Sequence, residues 1–247
     1  MRAGAAIGSR PALAGLLLAA HAACGAVSCG PATPPATEWP AGTVLAVDGL
    51  ALSGAEVDQV TAWVAAVLPS ASEKEHRRRA LTGHLFPRLT AEAAFASERT
   101  QALARAEQTL ADLRETPAAV DSARVVSGDW GTIGLEVWAA LQEARSGEWI
   151  GPLAGIGRLR LARCLERTPG PHPGLDLFEI EVRDFPFVPP GTDRNVLAEM
   201  TWDAELTIVD PAYERIVPLA WRANMQAQSD RTPSEPPATA AAGGSPE

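Results

Sequence analysis

The sequence predicts an α+β protein: a helical N-terminal region that opens with a small hairpin, then a smaller α/β part, then a strand-and-helix extension. Three observations predict it. β-formers flank Asp48-Gly49, apolar residues recur at helical spacing from Val57 to Leu113, and beyond Thr116-Pro117 short helical and strand-like runs alternate between turn residues. With 247 residues and 46% hydrophobic content, the chain can build a substantial core.

In the segment Thr43 to Leu52, Asp-Gly accepts the positive φ of a two-residue turn, so a hairpin is expected. Ser53 stands three residues before Glu56, the spacing of a capping box, and starts a helix there. Val57, Val60, Trp63, Val64 and Val67 give that helix one buried face, until Pro69-Ser70 interrupts. A second helical stretch spans about Ser72 to Leu113, striped by Leu81, Leu85, Leu89, Leu103, Leu110 and Leu113. Pro87 lacks an amide donor and should kink or divide it. The basic run KEHRRR, Lys74 to Arg79, is flanked by Glu73 and interrupted by Glu75, as on a solvated helix face.

The segment leading to Gly128 reads as continuous helix followed by the turn VVSGDWG. A helix from Leu135 to Ala144 carries Leu135, Trp138 and Leu141 on one side and stops at Ser146-Gly147. Trp149 to Leu153 and a strand from Arg158 to Leu165 follow. Beyond a Pro/Gly hinge, Pro169 to Gly174, alternation from Leu175 to Val188 predicts a strand with Phe178, Ile180 and Val182 on one face. Leu206 to Val209 reads as a short strand, and Asp210-Pro211 as the opening of a last helix. From Ser229 the Pro/Ala/Ser/Gly composition predicts a disordered tail. The expected divisions are 43–115, 116–168, 169–228 and 229–247.

The first residues have another character. Arg2 and Arg10 precede an apolar run from Pro11 to Ala23, and no acidic residue occurs before Glu38, the pattern of a secretory signal. The run is shorter than the roughly 20 residues of a bilayer span. Residues 1–28 resemble a bacterial lipoprotein signal: small residues precede Cys29, and 29–42 is a Pro/Thr-rich tether. The resemblance implies acylation at Cys29, with Cys24 the alternative, and a lipid anchor on the periplasmic face of a bacterial membrane. Ordinary cleavage near Ala20-His21-Ala22 is the competing reading. Either cut removes the two arginines and takes the formal charge from −9 to −11, with no electrostatic footprint for nucleic acid. After cleavage at Cys29, Cys164 is alone in the folded body, which excludes a disulfide framework there.

Over Thr43 to Thr168 the chain resembles exported SurA-like and parvulin-type peptidyl-prolyl isomerases. The residues that carry the resemblance are VLAVDGLALSGAEVD, similar to the family's opening hairpin and first helix, then Gly128-Asp129-Trp130-Gly131, Gly147 to Pro152, and Leu165-Glu166-Arg167. The resemblance implies a SurA-N-like helical region, a parvulin-like domain, and unfolded or partner polypeptide as the ligand. It implies no cofactor.

Departures from the family pattern bear on catalysis. Parvulins carry one histidine in the first strand and another in the last. Anchoring the last strand on Leu165-Glu166-Arg167 puts Arg160 at the second histidine, and anchoring on Gly157 puts Leu159 there. No histidine lies between His84 and Gly128, so the first strand is either lost or left as a remnant at Ala94 to Ser97, in a truncated domain. Because prolyl rotation faces a barrier of about 20 kcal/mol and needs a twisted amide held in place rather than a nucleophile, missing histidines weaken but do not abolish the enzymatic reading.

Asp129 is the candidate catalytic acid, and its plainer reading is a turn carboxylate bonded to nearby amides. Trp130 and Arg160 are the candidate substrate-binding residues. Trp130, Trp138 and Trp149 form either a client cradle or a core. No metal site is expected: His76 and His84 stand eight residues apart, His172 lies in the hinge and Cys164 reads as a buried apolar residue. Gly151 to Gly157 lacks the Lys and Ser/Thr of a phosphate loop. The function expected is an extracytoplasmic folding factor with weak or no isomerase activity. The alternative is an interaction lipoprotein with one fixed partner.

Overall fold

In the computed structural model, strands β1 (Thr43–Val47) and β2 (Leu50–Ser53) pair antiparallel around Asp48 and Gly49, which both take positive φ, 48° and 79°. Those angles give the turn a twist that matches the strands. The residues described are 38–115, 123–192 and 194–223, so the signal region with Cys24 and Cys29, most of the tether, and the tail from 229 lie outside them.

Helix α1 (Gly54–Val67) starts where Ser53 Oγ accepts the Glu56 amide at 3.2 Å, and it buries Val57, Val60, Val64 and Val67. Only half of the expected capping box forms. Glu56 turns its carboxylate to Arg88 instead, because a charge-assisted pair is stronger than a bond to a neutral amide. Helix α2 (Glu73–Ala80) is capped by Ser72. Its arginines pair locally, Arg77 with Asp58 at 3.0 Å and both Arg78 and Arg79 with Glu75, whose carboxyl they hold down at about 2. His76 instead turns inward and donates from Nε2 to the Leu68 carbonyl at 2.8 Å.

Pro87 divides the second helical stretch, as expected. It sits at the start of α3 (Phe86–Ala94), and the missing amide is accommodated by a π turn over Leu81–Leu85. A break at Phe95 (φ −124°, ψ 41°) then separates α4 (Ala96–Glu115), which buries Ala102, Ala106, Leu110 and Leu113. Ala94 to Ser97 is this helix junction, not a remnant strand.

The run into Gly128 is also corrected. It is strand β3 (Arg124–Gly128), followed by the one-turn helix α5 (Trp130–Ile133) and by α6 (Leu135–Glu143), which buries Leu135, Trp138 and Leu141. Strands β4 (Trp149–Gly155), β5 (Arg158–Thr168) and β6 (Leu177–Pro186) complete a four-stranded antiparallel sheet in the order β3-β6-β5-β4. Phe178, Ile180 and Val182 alternate inward along β6, as their spacing predicts. β6 therefore stands between β3 and β5, and the sheet runs across the boundary expected at 168.

Pro169 to Gly174 is no free hinge. A short 3₁₀ turn, Pro173–Leu175, lies against α1, Trp138 donates from Nε1 to the Pro173 carbonyl at 3.1 Å, and the buried Asp176 accepts from Arg167 at 3.1 Å and from the Gly170 amide at 2.8 Å. Helix α7 (Arg194–Asp203) has no counterpart in the sequence reading and packs on α3. Strand β7 (Leu206–Ile208) joins β1 to close a second sheet, β2-β1-β7. Asp210 caps the Ala212 amide as expected, but what it opens is a 3₁₀ turn, Pro211–Arg215.

The main core joins α1, the π turn, α3, α6 and the inner face of β5 and β6. On the sheet's other face α4 sets Leu110 and Leu113 beside Trp149 and Leu161, while Ala102 meets Leu159 and Phe187. The α+β class is thus as predicted, and all the described elements from Trp39 onward belong to one body.

Candidate functional site

An apolar cavity of about 200 Å³ opens between the end of α1 and the π turn. Val64, Val67 and Leu68 form one wall, Trp130 another, and Thr82, Gly83 and His84 the third. Each wall has a local cause. The valine stripe of α1 turns partly toward Trp130, which the α5 cap holds in place, and Pro87 shapes the π turn. Arg79 stands at the rim and is held by Glu75 at 2.7 Å. Burial pushes the His84 pKa down from its ordinary value, so the imidazole is neutral at pH 7.

The structure separates the candidate residues. Asp129 is the N-cap of α5: its Oδ1 accepts both the Thr132 amide and the Thr132 hydroxyl at 3.2 Å. That is the turn role. Trp130 is half-buried and walls the cavity. Arg160 does not join it there. Its guanidinium is buried, bonded to Asp184 at 2.6 and 3.3 Å and to the Ile133 carbonyl at 2.7 Å. Arg160 ties α5 to the sheet from beneath, so no groove is lined by Trp130 and Arg160 together.

Nor do the three tryptophans form a cradle. Trp138 lies in the main core, and Trp149 is buried on the α4 side with Arg163 over its ring at 5.1 Å. Cys164 is buried and its thiol pKa is pushed up by that burial, as for an inert core residue. Among the described residues no three His, Cys, Asp or Glu side chains converge on a metal position, and no helix is long and apolar enough to cross a membrane.

Val64 and Val67 are core positions by their spacing, and nothing in the sequence marks Leu68, Thr82 or His84 as their partners in a cavity. Their convergence depends on the π turn, for which Pro87 was the only signal. A second, more open hollow lies at the end of β3, β5 and β6, where Glu166 faces Glu179 across the strands beside Ser127 and Leu177. It is carboxylate-lined, whereas the first is apolar with one neutral imidazole. The first can hold an apolar group. Among the described residues lining it, Thr82 carries the hydroxyl, and this donates to the Arg78 carbonyl at 3.0 Å.

Glu136, in the first turn of α6, lies close against Gly134 and Gly155, and burial raises its pKa against the opposing pull of Arg160, Arg158 and Arg88. A raised folded-state value means the fold favours the neutral acid, so stability falls as pH climbs above the ordinary carboxylate range. Glu136→Gln is therefore expected to raise the thermal midpoint at pH 7, with the gain vanishing below about pH 4, where glutamate is protonated in both states. Melting curves across that range check it. A midpoint lowered at pH 7 is the contrary outcome.

The chain matches no family model, no curated protein and no solved structure.

Proposed function

We propose that this protein is an extracytoplasmic folding factor that holds unfolded or partner polypeptide by its apolar side chains, with weak or no prolyl isomerase activity. A lipid on Cys29 anchors it to the periplasmic face of a bacterial membrane. One observation carries the reading: half-buried Trp130 completes an open apolar cavity whose other walls come from α1 and the π turn. Such a cavity accepts one apolar side chain at a time and makes no demand on the rest of a client sequence. Asp129, spent on capping, is assigned no proton-transfer role.

Aggregation suppression of several unrelated clients tests the reading. Protection of most of them is expected, and Trp130→Ala is expected to remove most of that protection with far-ultraviolet circular dichroism unchanged. Protection of none, with one protein recovered on the cavity, moves the assignment to an interaction lipoprotein. A protease-coupled isomerisation assay should show no turnover sensitive to Asp129→Ala, and fatty-acid labelling should be lost in Cys29→Ser.

A further inference from the structure

The wall of the cavity formed by the π turn includes Thr82, whose carbonyl loses its usual helical donor. In a regular helix the Phe86 amide would bond to the Thr82 carbonyl, but here it bonds to Leu81. The next residue, Pro87, has no amide to offer. Thr82 therefore lacks, at its carbonyl, both the i+4 donor of a regular helix and the i+5 donor of a π turn. Beside it, the Cβ position of Gly83 has nothing within 4 Å, so another backbone can approach. The facing walls, Val64, Val67, Leu68 and Trp130, are apolar, and His84 is neutral.

We propose that the cavity reads a single aliphatic or aromatic residue of an extended peptide and pairs the Thr82 carbonyl with that residue's own backbone N–H. The inference rests on the polypeptide-binding reading above. Its volume, about 200 Å³, suits one side chain and falls below the roughly 300–1,000 Å³ of small-molecule sites. Proline fits the volume but has no N–H, so it would leave the carbonyl unpaired in the bound state. An acceptor buried without a partner is penalised on the order of tenfold in affinity. The site thus selects against proline, the residue that an isomerase must hold.

Three fluorescent decapeptides, identical except at one central position, test this with the full chain by fluorescence anisotropy. One carries leucine, one proline, and one leucic acid, whose ester oxygen removes the N–H while keeping the side chain. The leucine peptide is expected to bind about tenfold more tightly than either of the others. Equal affinity of the leucine and ester peptides overturns the Thr82 pairing and leaves the folding-factor reading standing. Failure of all three to bind overturns both. Gly83→Val, whose Cβ has nothing within 4 Å and whose branched side chain occupies the open approach beside Thr82, should weaken the leucine peptide and erase the difference from the ester. An unchanged tenfold preference in that variant also overturns the proposal.

Discussion

Asp184→Ala is expected to cost about 3–5 kcal/mol of folding stability, more than the removal of a partly exposed carboxylate would suggest. Asp184 keeps 28% of its side-chain exposure, but its partner Arg160 keeps only 8%. Deleting the carboxylate leaves a guanidinium inside the protein with the Ile133 carbonyl as its hydrogen-bond acceptor and only the more distant Glu136 carboxyl to oppose its charge. Arg124, 3.4 Å from the same carboxylate, is exposed and would simply return to water. Arg160→Met should cost less than Asp184→Ala, since it removes the buried charge and leaves Asp184 to water and Arg124. Urea unfolding of both variants checks the order. Arg160→Met proving the more damaging of the two would show that packing, not charge, dominates at this position.

Gly174→Ala should cost about 3 kcal/mol for a steric reason. A Cβ there would lie 2.5 Å from the Val67 carbonyl oxygen and 2.7 Å from the Val67 Cα, both backbone atoms at the end of α1 that cannot rotate away. The turn cannot retreat easily, because the Pro173 carbonyl is bonded to buried Trp138 and Asp176 is bonded to Arg167 and Gly170. Leu175→Ala, at a side chain 49% exposed in the same turn, should stay within about 0.5 kcal/mol and serves as the control. A Gly174→Ala variant as stable as that control would show that the turn is free to lift off α1.

What the sequence revealed was local. Asp48-Gly49, the Ser53 cap, the valines of α1 and the alternation of Phe178, Ile180 and Val182 each act over a few residues, and each is where spacing predicts. The misreadings needed distant information. Arg124 to Gly128 is short and polar at its ends, and it becomes a strand because β6 lies alongside, with Val126 opposite Ile180. Arg160 is a candidate substrate-binding residue by sequence, and the β5–β6 register, which sets it opposite Asp184, explains its burial instead. Helix α7 leaves Val196 and Trp202 partly exposed, and its stripe is too weak to read. At the cavity, Pro87 signalled an interruption, but its form as a π turn depends on how Phe86 finds a carbonyl.

Strand β1 has one neighbour that follows it at once and another that arrives about 160 residues later. β2 pairs through the hairpin, whereas β7 pairs only after Leu206, and the Glu205 amide then bonds to the Asp48 carboxylate at 2.8 Å. Leu45 and Val47, both fully buried in the finished sheet, therefore wait beside an open edge until Leu206–Ile208 has been made. Pairings that close so long a loop form late and slowly. Both the open edge of β1 and the face of α3 under α7 are covered only by chain made after residue 193, so the first elements synthesised are completed by much later ones.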